Sequence, residues 1–428
     1  MKILLVGNGG REHCLAWRLL NSDSDVKIYT PSTNAGIRKL SNYVNINEKD
    51  FQEIARFCID EKIDFVVVGP EEPLAKGIGD VLRSKGIPVF GPSTLAARIE
   101  ASKSFAKDFM YKYNIPTAKY KSFSYEDVTK AIKYIESINT PIVVKADGLA
   151  AGKGVVVCES QEEAKSVVQK MFSGEFSEAG KKVVIEEYLN GEEASILAIT
   201  DGERYVLLPS SQDHKRSLDG DRGKNTGGMG AISPTPLIDN KVLKHIEDEI
   251  IRPAIHGMAN EGFPFIGCLY AGLMIKDGKA KVVEFNCRFG DPETQAVLPL
   301  IQGDFASLLY SASLGKLDSN FYDCYLNKFS CCVILASRGY PDNYEKGFEI
   351  TGIEDAEKSG CFVFHSGTIL VNDKLLSNGG RVLGVVGIGN TLKQAIDKSY
   401  EGTSLIHFEN KYHRNDIGYK GLKYIDGH

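Results

Sequence analysis

The chain has 428 residues, 43% of them apolar and 25% charged, with a formal charge of −5 and an isoelectric point near 6.0. That length supports two to four domains with their own cores. The charge excludes the basic footprint of sequence-independent nucleic-acid binding while leaving room for local anion sites.

The nine cysteines are scattered and include no CxxC pair, so neither a disulfide framework nor a zinc site is signalled, and a reducing, cytoplasmic setting is expected. The first residues enter a strand directly, without a signal-peptide apolar region, and no apolar run approaches the ~18 residues of a membrane span. No membrane partner is expected.

Residues 2–6, KILLV, read as a strand that runs into Gly7-Asn8-Gly9-Gly10-Arg11-Glu12-His13 and a helix through Trp17 and Leu20. A strand at 26–29, a helix opened by Asp50 with Glu53 completing a capping box, and a strand at 63–68 continue the pattern. The expectation is a doubly wound parallel sheet over residues 1–101. A dinucleotide fold would need glycine where Glu12 stands, and an acid within 26–43, where none occurs. The turn is therefore expected to cradle a phosphate with backbone N–H groups at the helix start. Glu71 and Glu72 follow a strand end, where ligands sit in open α/β sheets; they can bind hydroxyls or an amine, or simply form a solvated turn.

Residues 94–113 predict one helix with Leu95, Ile99, Phe105 and Phe109 on one face and Lys103 off it. A second helix is expected from an N-cap at Ser124 through Val128, Ile132, Ile135 and Ile138, ending before Pro141. Residues 141–157 then read as strand, glycine-rich loop, strand. Three residues separate Gly148 from Gly152, and a β-branched strand follows Gly154 where a Walker loop needs Ser or Thr and a helix. A hairpin with Lys145 at its base and Lys153 at its tip can fold over a triphosphate; a plain hairpin is the alternative.

A strand at 183–185 leads into Glu186-Glu187-Tyr188-Leu189 and Glu192-Glu193, a hinge that can offer backbone groups to a base and a carboxylate to hydroxyls. Asp213, His214 and Lys215 precede a loop with four glycines in the eight residues 223–230, whose ordering entropy a bound ligand can offset. In KVVEFNCRFGDPETQ (281–295), period-2 alternation places Val283 and Phe285 on one face and Val282, Glu284 and Asn286 on the other. A carboxylate and an amide two residues apart suit a hard cation completed by substrate phosphates, or else an ordinary salt-bridged face. Arg288, Asp291 and Glu293 follow in a Gly-Asp-Pro turn. From 326 onward, strands at 331–336 and 381–388 and a helix opened at Thr391 suggest a small α+β domain. Its segments 364–368 and 378–381 read chiefly as structural turns, with closure of the active site as the alternative.

A lysine at a strand base, a glycine hairpin, a Glu-Glu-x-Leu hinge and Glu-x-Asn, in that order, resemble the ATP-grasp enzymes. The motifs GNGGREH, GPEEPL, KADGLAAGKGV, EEYLNGEEAS, SQDHKR, NTGGMGA, EFNCRFGDPETQ and NGGRV resemble, more closely and over essentially the whole length, the family of phosphoribosylamine–glycine ligases, or glycinamide ribonucleotide synthetases. Two departures stand out. Lys224 replaces the proline usual before NTGGMG, which bears on that loop's rigidity, and no acidic first metal ligand is evident at 269–275.

The resemblance implies an α/β N-terminal domain over 1–101, an ATP-grasp domain over 102–325 with a mobile lid at about 119–190, and an α+β domain over 326–428. It implies ATP-dependent joining of glycine to 5-phosphoribosylamine in purine biosynthesis, through a glycyl phosphate intermediate, with Mg²⁺ or Mn²⁺. Lys145, Arg288, Asp213 and Lys215 would be catalytic. ATP would meet Lys103, Lys145, Gly152, Lys153, Gly154, Glu186, Glu187, Leu189 and Glu193, with Glu186 and the Leu189 backbone at adenine and Glu193 at ribose. The metal would meet Glu284 and Asn286; the other substrates would meet Gly9, Gly10, Arg11, Glu71, Asp291 and Glu293. A monomer acting on small molecules is expected. The rivals are a biotin-carboxylase-like ligase using bicarbonate, a dinucleotide oxidoreductase, and a nucleotide-binding scaffold without turnover.

Overall fold

The computed structural model describes residues 1–149, 154–175, 180–325 and 327–426; Gly152 and Lys153 of the expected hairpin tip lie outside the described residues. Strands β1 (Lys2–Val6), β2 (Lys27–Thr30), β3 (Asn42–Tyr43), β4 (Phe65–Val68) and β5 (Val89–Phe90) form one parallel sheet in the order β3-β2-β1-β4-β5. β4 is buried at every position and β1 at all but its first, as strands covered on both faces require.

Helix α1 (Gly10–Leu20) starts where the Glu12 carboxylate folds back to accept the Gly9 amide at 2.7 Å. A Cβ on Gly69 would meet Glu12 Oε1 at 2.0 Å. Glu12 thus fills the space that a glycine would leave open for a pyrophosphate. After α2 (Ala35–Leu40), Asp50 caps α3 (Phe51–Asp60) by accepting the Gln52 and Glu53 amides. The expected capping box does not form. The Asp50 amide already donates to the Asn47 carbonyl, and the Glu53 carboxylate instead accepts from the Asn47 amide at 3.1 Å.

Past α4 (Glu71–Ala75) and α5 (Ile78–Ser84), the single helix expected over 94–113 is two, α6 (Thr94–Ala101) and α7 (Lys103–Lys112). Ser102 ends the first and caps the second: its amide donates to Arg98 and its Oγ accepts from Phe105. The Lys103 and Ser104 amides turn away to the carbonyl and carboxylate of Asp147. Leu95 is left exposed, off the apolar face on which it was expected.

β6 (Tyr120–Ser124), β7 (Ile142–Ala146), β8 (Val155–Cys158) and β9 (Lys182–Glu187) form an antiparallel sheet in the order β6-β9-β7-β8. The expected helix begins at Val128 rather than after Ser124, which ends β6 instead. The helices Val128–Glu136 and Gln161–Lys170 bury Ile135 and Val168 against Ile142, Val144 and Ile185 of this sheet. A facing sheet joins β10 (Glu192–Asp201), β11 (Tyr205–Leu207), β16 (Ile266–Lys276) and β17 (Lys279–Asn286) in the order β11-β10-β16-β17.

β17 is where the strict alternation fails. Gly272 opposes Glu284 and Leu273 opposes Val282, so Val283 is an extra, bulged residue. Val282 and Phe285 both enter the core, and Val283 joins Glu284 and Asn286 on the cavity side. Between β11 and β16 the chain also forms β12 (Gln212–Asp213), the hairpin β13 (Arg216–Leu218) and β14 (Arg222–Asn225), and β15 (Gly230–Ser233). β12 and β15 join strands Phe329–Ser337, Arg381–Gly389 and Phe362–His365 in a fourth sheet. That lending of strands brings Asp213 near Arg381. No helix among the described residues is long and apolar enough to cross a membrane.

Candidate active site

A cavity of about 390 Å³ lies between the β6–β9 sheet and the β17 strand, and a second of about 210 Å³ adjoins it, sharing Lys145, Glu186, Lys215 and Glu284 as walls. Lys145 sits on β7, a strand buried at every position, which aims its ammonium inward. Its Nζ is 3.0 Å from Glu186 Oε1 and donates to the Val283 carbonyl at 3.1 Å. The other Glu186 oxygen is 2.9 Å from Lys107 Nζ, which also donates to Thr117. Burial pulls the Lys107 ammonium down to about 8, against the support of Glu186. Lys103 donates to the Gly148 carbonyl at 3.0 Å; burial lowers it as well, against Glu284.

The carboxylate of Glu284 accepts no hydrogen bond and joins no ion pair among the described residues. Burial pushes it up, yet Lys215, Lys145, Lys103 and Arg288 outweigh that and hold it below the usual carboxylate range. Asn286 Oδ1 accepts from Arg288 at 3.2 Å, and Arg288 pairs with Glu71 and Glu100 at 3.1 Å each. Glu100 also receives the Cys287 amide at 2.7 Å, fixing the turn that follows β17. Among the described residues no three His, Cys, Asp or Glu side chains could hold a metal by themselves. An ionised, unpartnered carboxylate beside an amide oxygen is nonetheless a suitable donor pair for a hard cation that takes its other ligands from phosphates.

Nearer the surface, Lys215 Nζ lies 2.8 Å from Glu193. Burial would lower this ammonium, but Glu193, Tyr270, Glu284 and Asp213 hold it well above its ordinary value. Burial and the neighbouring Glu293 push the Asp213 carboxyl well above the usual range, against Lys215 and Arg381. Glu293 accepts from the Tyr270 hydroxyl at 2.9 Å, and Asp291 from Gln295 at 2.8 Å. An open cleft of about 370 Å³ continues on the far side of Asp291, walled by Gly9, Gly10 and Arg11 and by Tyr340, Ser366 and Arg381. The backbone cradle expected at Gly9 is depleted, because that amide is bonded to Glu12. Arg11 is also engaged, pairing with Glu12 and donating to the Phe289 carbonyl at 3.1 Å.

The described residues named from sequence thus converge. Arg11, Glu71, Lys103, Lys145, Gly154, Glu186, Asp213, Lys215, Glu284, Asn286, Arg288, Asp291 and Glu293 line the larger cavity, Glu187, Leu189 and Glu193 the smaller. The side chain of Glu186 is committed to two lysines, so any contact with a base would fall to its backbone. Sequence reasoning missed Glu100, Lys107, Tyr270 and Tyr340, while Ser366 and Arg381 fall in the two segments read chiefly as structural turns, with closure of the site as the alternative. Lys107 carried one signal, a second lysine one turn after Lys103, and Arg381 carried another, the NGGRV motif.

Two sheets facing across a cleft, with Lys145 on one and Glu-x-Asn on the other, define an ATP-grasp architecture. The chain belongs to the phosphoribosylglycinamide synthetase family: residues 1–100 match its N domain, 101–294 its ATP-grasp (A) domain and 330–420 its C domain. It is 45% identical over 422 residues to the phosphoribosylamine–glycine ligase of Rhizobium meliloti, covering 99% of each chain. It is 44% identical to a bifunctional purine biosynthetic protein of Pichia angusta and 45% to the human trifunctional purine biosynthetic protein adenosine-3, of which it spans only 54% and 42%. The crystal structure of phosphoribosylamine–glycine ligase from Thermotoga maritima superposes with a TM-score of 0.85 at 35% identity, over 97% of this chain and 100% of that one. A biotin carboxylase from Campylobacter jejuni shares the fold, with a TM-score of 0.74 at 13% identity over 100% of this chain and 98% of that one.

Proposed function

We propose that this chain joins glycine to 5-phosphoribosylamine with conversion of ATP to ADP and phosphate, a step of purine biosynthesis. The observation that carries the reading is the pair Glu284 and Asn286, presented without a direct partner on the carboxylate and facing Lys145 of the opposite sheet and Lys103 of α7, in a chain so similar to ligases of that name. A carboxylate is a poor electrophile. Transfer of the γ-phosphoryl group to the glycine carboxylate makes a mixed anhydride, glycyl phosphate. The ribosylamine nitrogen then attacks its carbonyl carbon, the C–O bond to phosphate breaks, and a proton leaves the nitrogen. The first transfer needs positioned positive charge more than a protein nucleophile.

In this reading adenine lies in the smaller cavity by the Leu189 backbone, with Glu187 and Glu193 at its edge. The phosphates lie among Lys103, Lys145, Arg288 and Gly154. Mg²⁺ or Mn²⁺, held by Glu284 and Asn286, would neutralise phosphate charge. Asp213, Lys215, Asp291 and Glu293 orient glycine and the amine. The ribosylamine occupies the cleft of Gly9, Gly10 and Arg11 and reaches towards Glu71 in the larger cavity. The domain division at about 101 and 325, with a lid over 119–190, a monomeric state and a cytoplasmic setting belong to the same reading.

The test is ADP release with Mg-ATP, glycine and freshly generated phosphoribosylamine, each omitted in turn. Release that needs both acceptors supports the assignment. Release with bicarbonate and a biotinyl carrier, indifferent to glycine, would transfer it to the biotin-carboxylase class.

A further inference from the structure

Residues 226–228 run between the two sides of the site. Thr226 and Gly227 line the larger cavity, while Tyr340 and Arg381 line the open cleft beyond Asp291. Each side grips the same short segment. On the cavity side, the Thr226 amide and hydroxyl both donate to the Lys215 carbonyl, and Thr226 Oγ1 accepts the Gly228 amide. On the cleft side, the Gly227 amide donates to the Tyr340 hydroxyl at 3.0 Å, and the Gly227 carbonyl accepts from Arg381. Arg381 also donates to the Asp291 carbonyl at 2.8 Å and pairs with the Asp291 carboxylate at 3.3 Å.

The tyrosine hydroxyl is itself held in place by packing. Its ring lies so close over Gly380 that a Cβ there would meet it at 2.2 Å, and Tyr344 meets it edge to face. Gly227 is equally constrained, since a Cβ on it would press the Arg381 guanidinium at 3.1 Å. A segment of Thr-Gly-Gly has little conformational preference of its own, so its order is set by these outside contacts.

We propose that Tyr340 is a positioning residue: by holding Gly227, it lets occupancy of the ribosylamine-side cleft order residues 226–228 along the nucleotide-side cavity, so that the two ligands tighten each other's binding. This rests on the assignment of the two cavities made under Proposed function. Linkage requires the effect to be reciprocal.

The experiment titrates a non-hydrolysable ATP analogue with Mg²⁺ by calorimetry, with and without ribose 5-phosphate, which carries the ribosyl and phosphate groups of the substrate but no amine. Ribose 5-phosphate is expected to tighten analogue binding by about fivefold or more, the lower end of ordinary coupling between sites. Tyr340→Phe, titrated with the analogue at ribose 5-phosphate concentrations that direct calorimetry shows to saturate the variant, is expected to lose the gain. A measurement on the unaltered protein accompanies it: amide hydrogen exchange over residues 224–230 should slow when ribose 5-phosphate is added without nucleotide. Ribose 5-phosphate that binds without changing analogue affinity or that exchange overturns the positioning role and leaves the cavity assignment standing. An unchanged gain in Tyr340→Phe also overturns it. Failure of ribose 5-phosphate to bind at all overturns the cavity assignment, and the coupling with it.

Discussion

Glu186 and Glu284 face the same cavity from opposite sheets, both near Lys145, yet their surroundings differ. Glu186 is ion-paired on both oxygens, with Lys107 at 2.9 Å and Lys145 at 3.0 Å. Glu284 stands in a field of four cations without touching one. The first carboxylate is spent on holding two ammonium groups in a dry wall; the second is kept ionised and available. Charge count alone does not separate a structural acid from a ligand-binding one, but direct pairing does.

The largest expected effect tests the structural half of that contrast. Glu186→Gln leaves Lys107 and Lys145 buried without a counter-charge, and breaking such a pair costs about 3–5 kcal/mol. Chemical denaturation should show it, with a smaller loss for Glu284→Gln; equal losses would erase the distinction. The functional half comes next. Lys145→Ala should lower kcat by ~10²- to 10³-fold, as loss of one preorganised donor typically does. Glu284→Gln should raise the Mg²⁺ concentration needed and weaken nucleotide binding together. Unchanged metal dependence would remove Glu284 from the cation site.

A third effect is smaller and lies in pH. Lys107 titrates at about 8 in the fold, with burial the main cause, whereas a free lysine titrates near ~10.4. Between those values the unfolded chain binds more protons than the native one, so this residue's contribution to stability rises with pH across that window and is a constant cost below it. Unfolding free energies of the unaltered protein and of Lys107→Gln should therefore diverge in favour of the former from pH 8 to 10. A flat difference would mean that Lys107 is not dry.

Much of this was legible in the chain because the decisive groups are close in sequence. Lys145 on an apolar strand, Glu284 two residues from Asn286, and Arg288 in the following turn announce themselves through local pattern. What was not legible depends on distant partners. The break at Ser102 is stabilised by Asp147 across the cleft, so helical periodicity runs through it unmarked. The bulge at Val283 is a property of its register with β16, and no single strand carries that information. The commitment of Glu186 to Lys107, and the reach of Arg381 to Asp291, appear only when separate sheets are brought together. β6 went unread because its polar residues pair along the edge of a sheet.

The smallest effect sharpens the comparison by holding distance fixed. Lys224 Nζ lies 2.9 Å from Asp342, the same separation as Lys107 from Glu186. Both side chains of the Lys224 pair are mostly exposed, at 69% and 61%, against 3% for each member of the buried pair. Water screens the exposed pair and solvates either partner when the other is removed, so Lys224→Ala should change the unfolding free energy by less than about 1 kcal/mol, and by less still in high salt. A loss as large as that of Glu186→Gln would show that the segment before the glycine loop depends on this ion pair. A small loss leaves burial, rather than separation, as what makes the Glu186 pair costly to break.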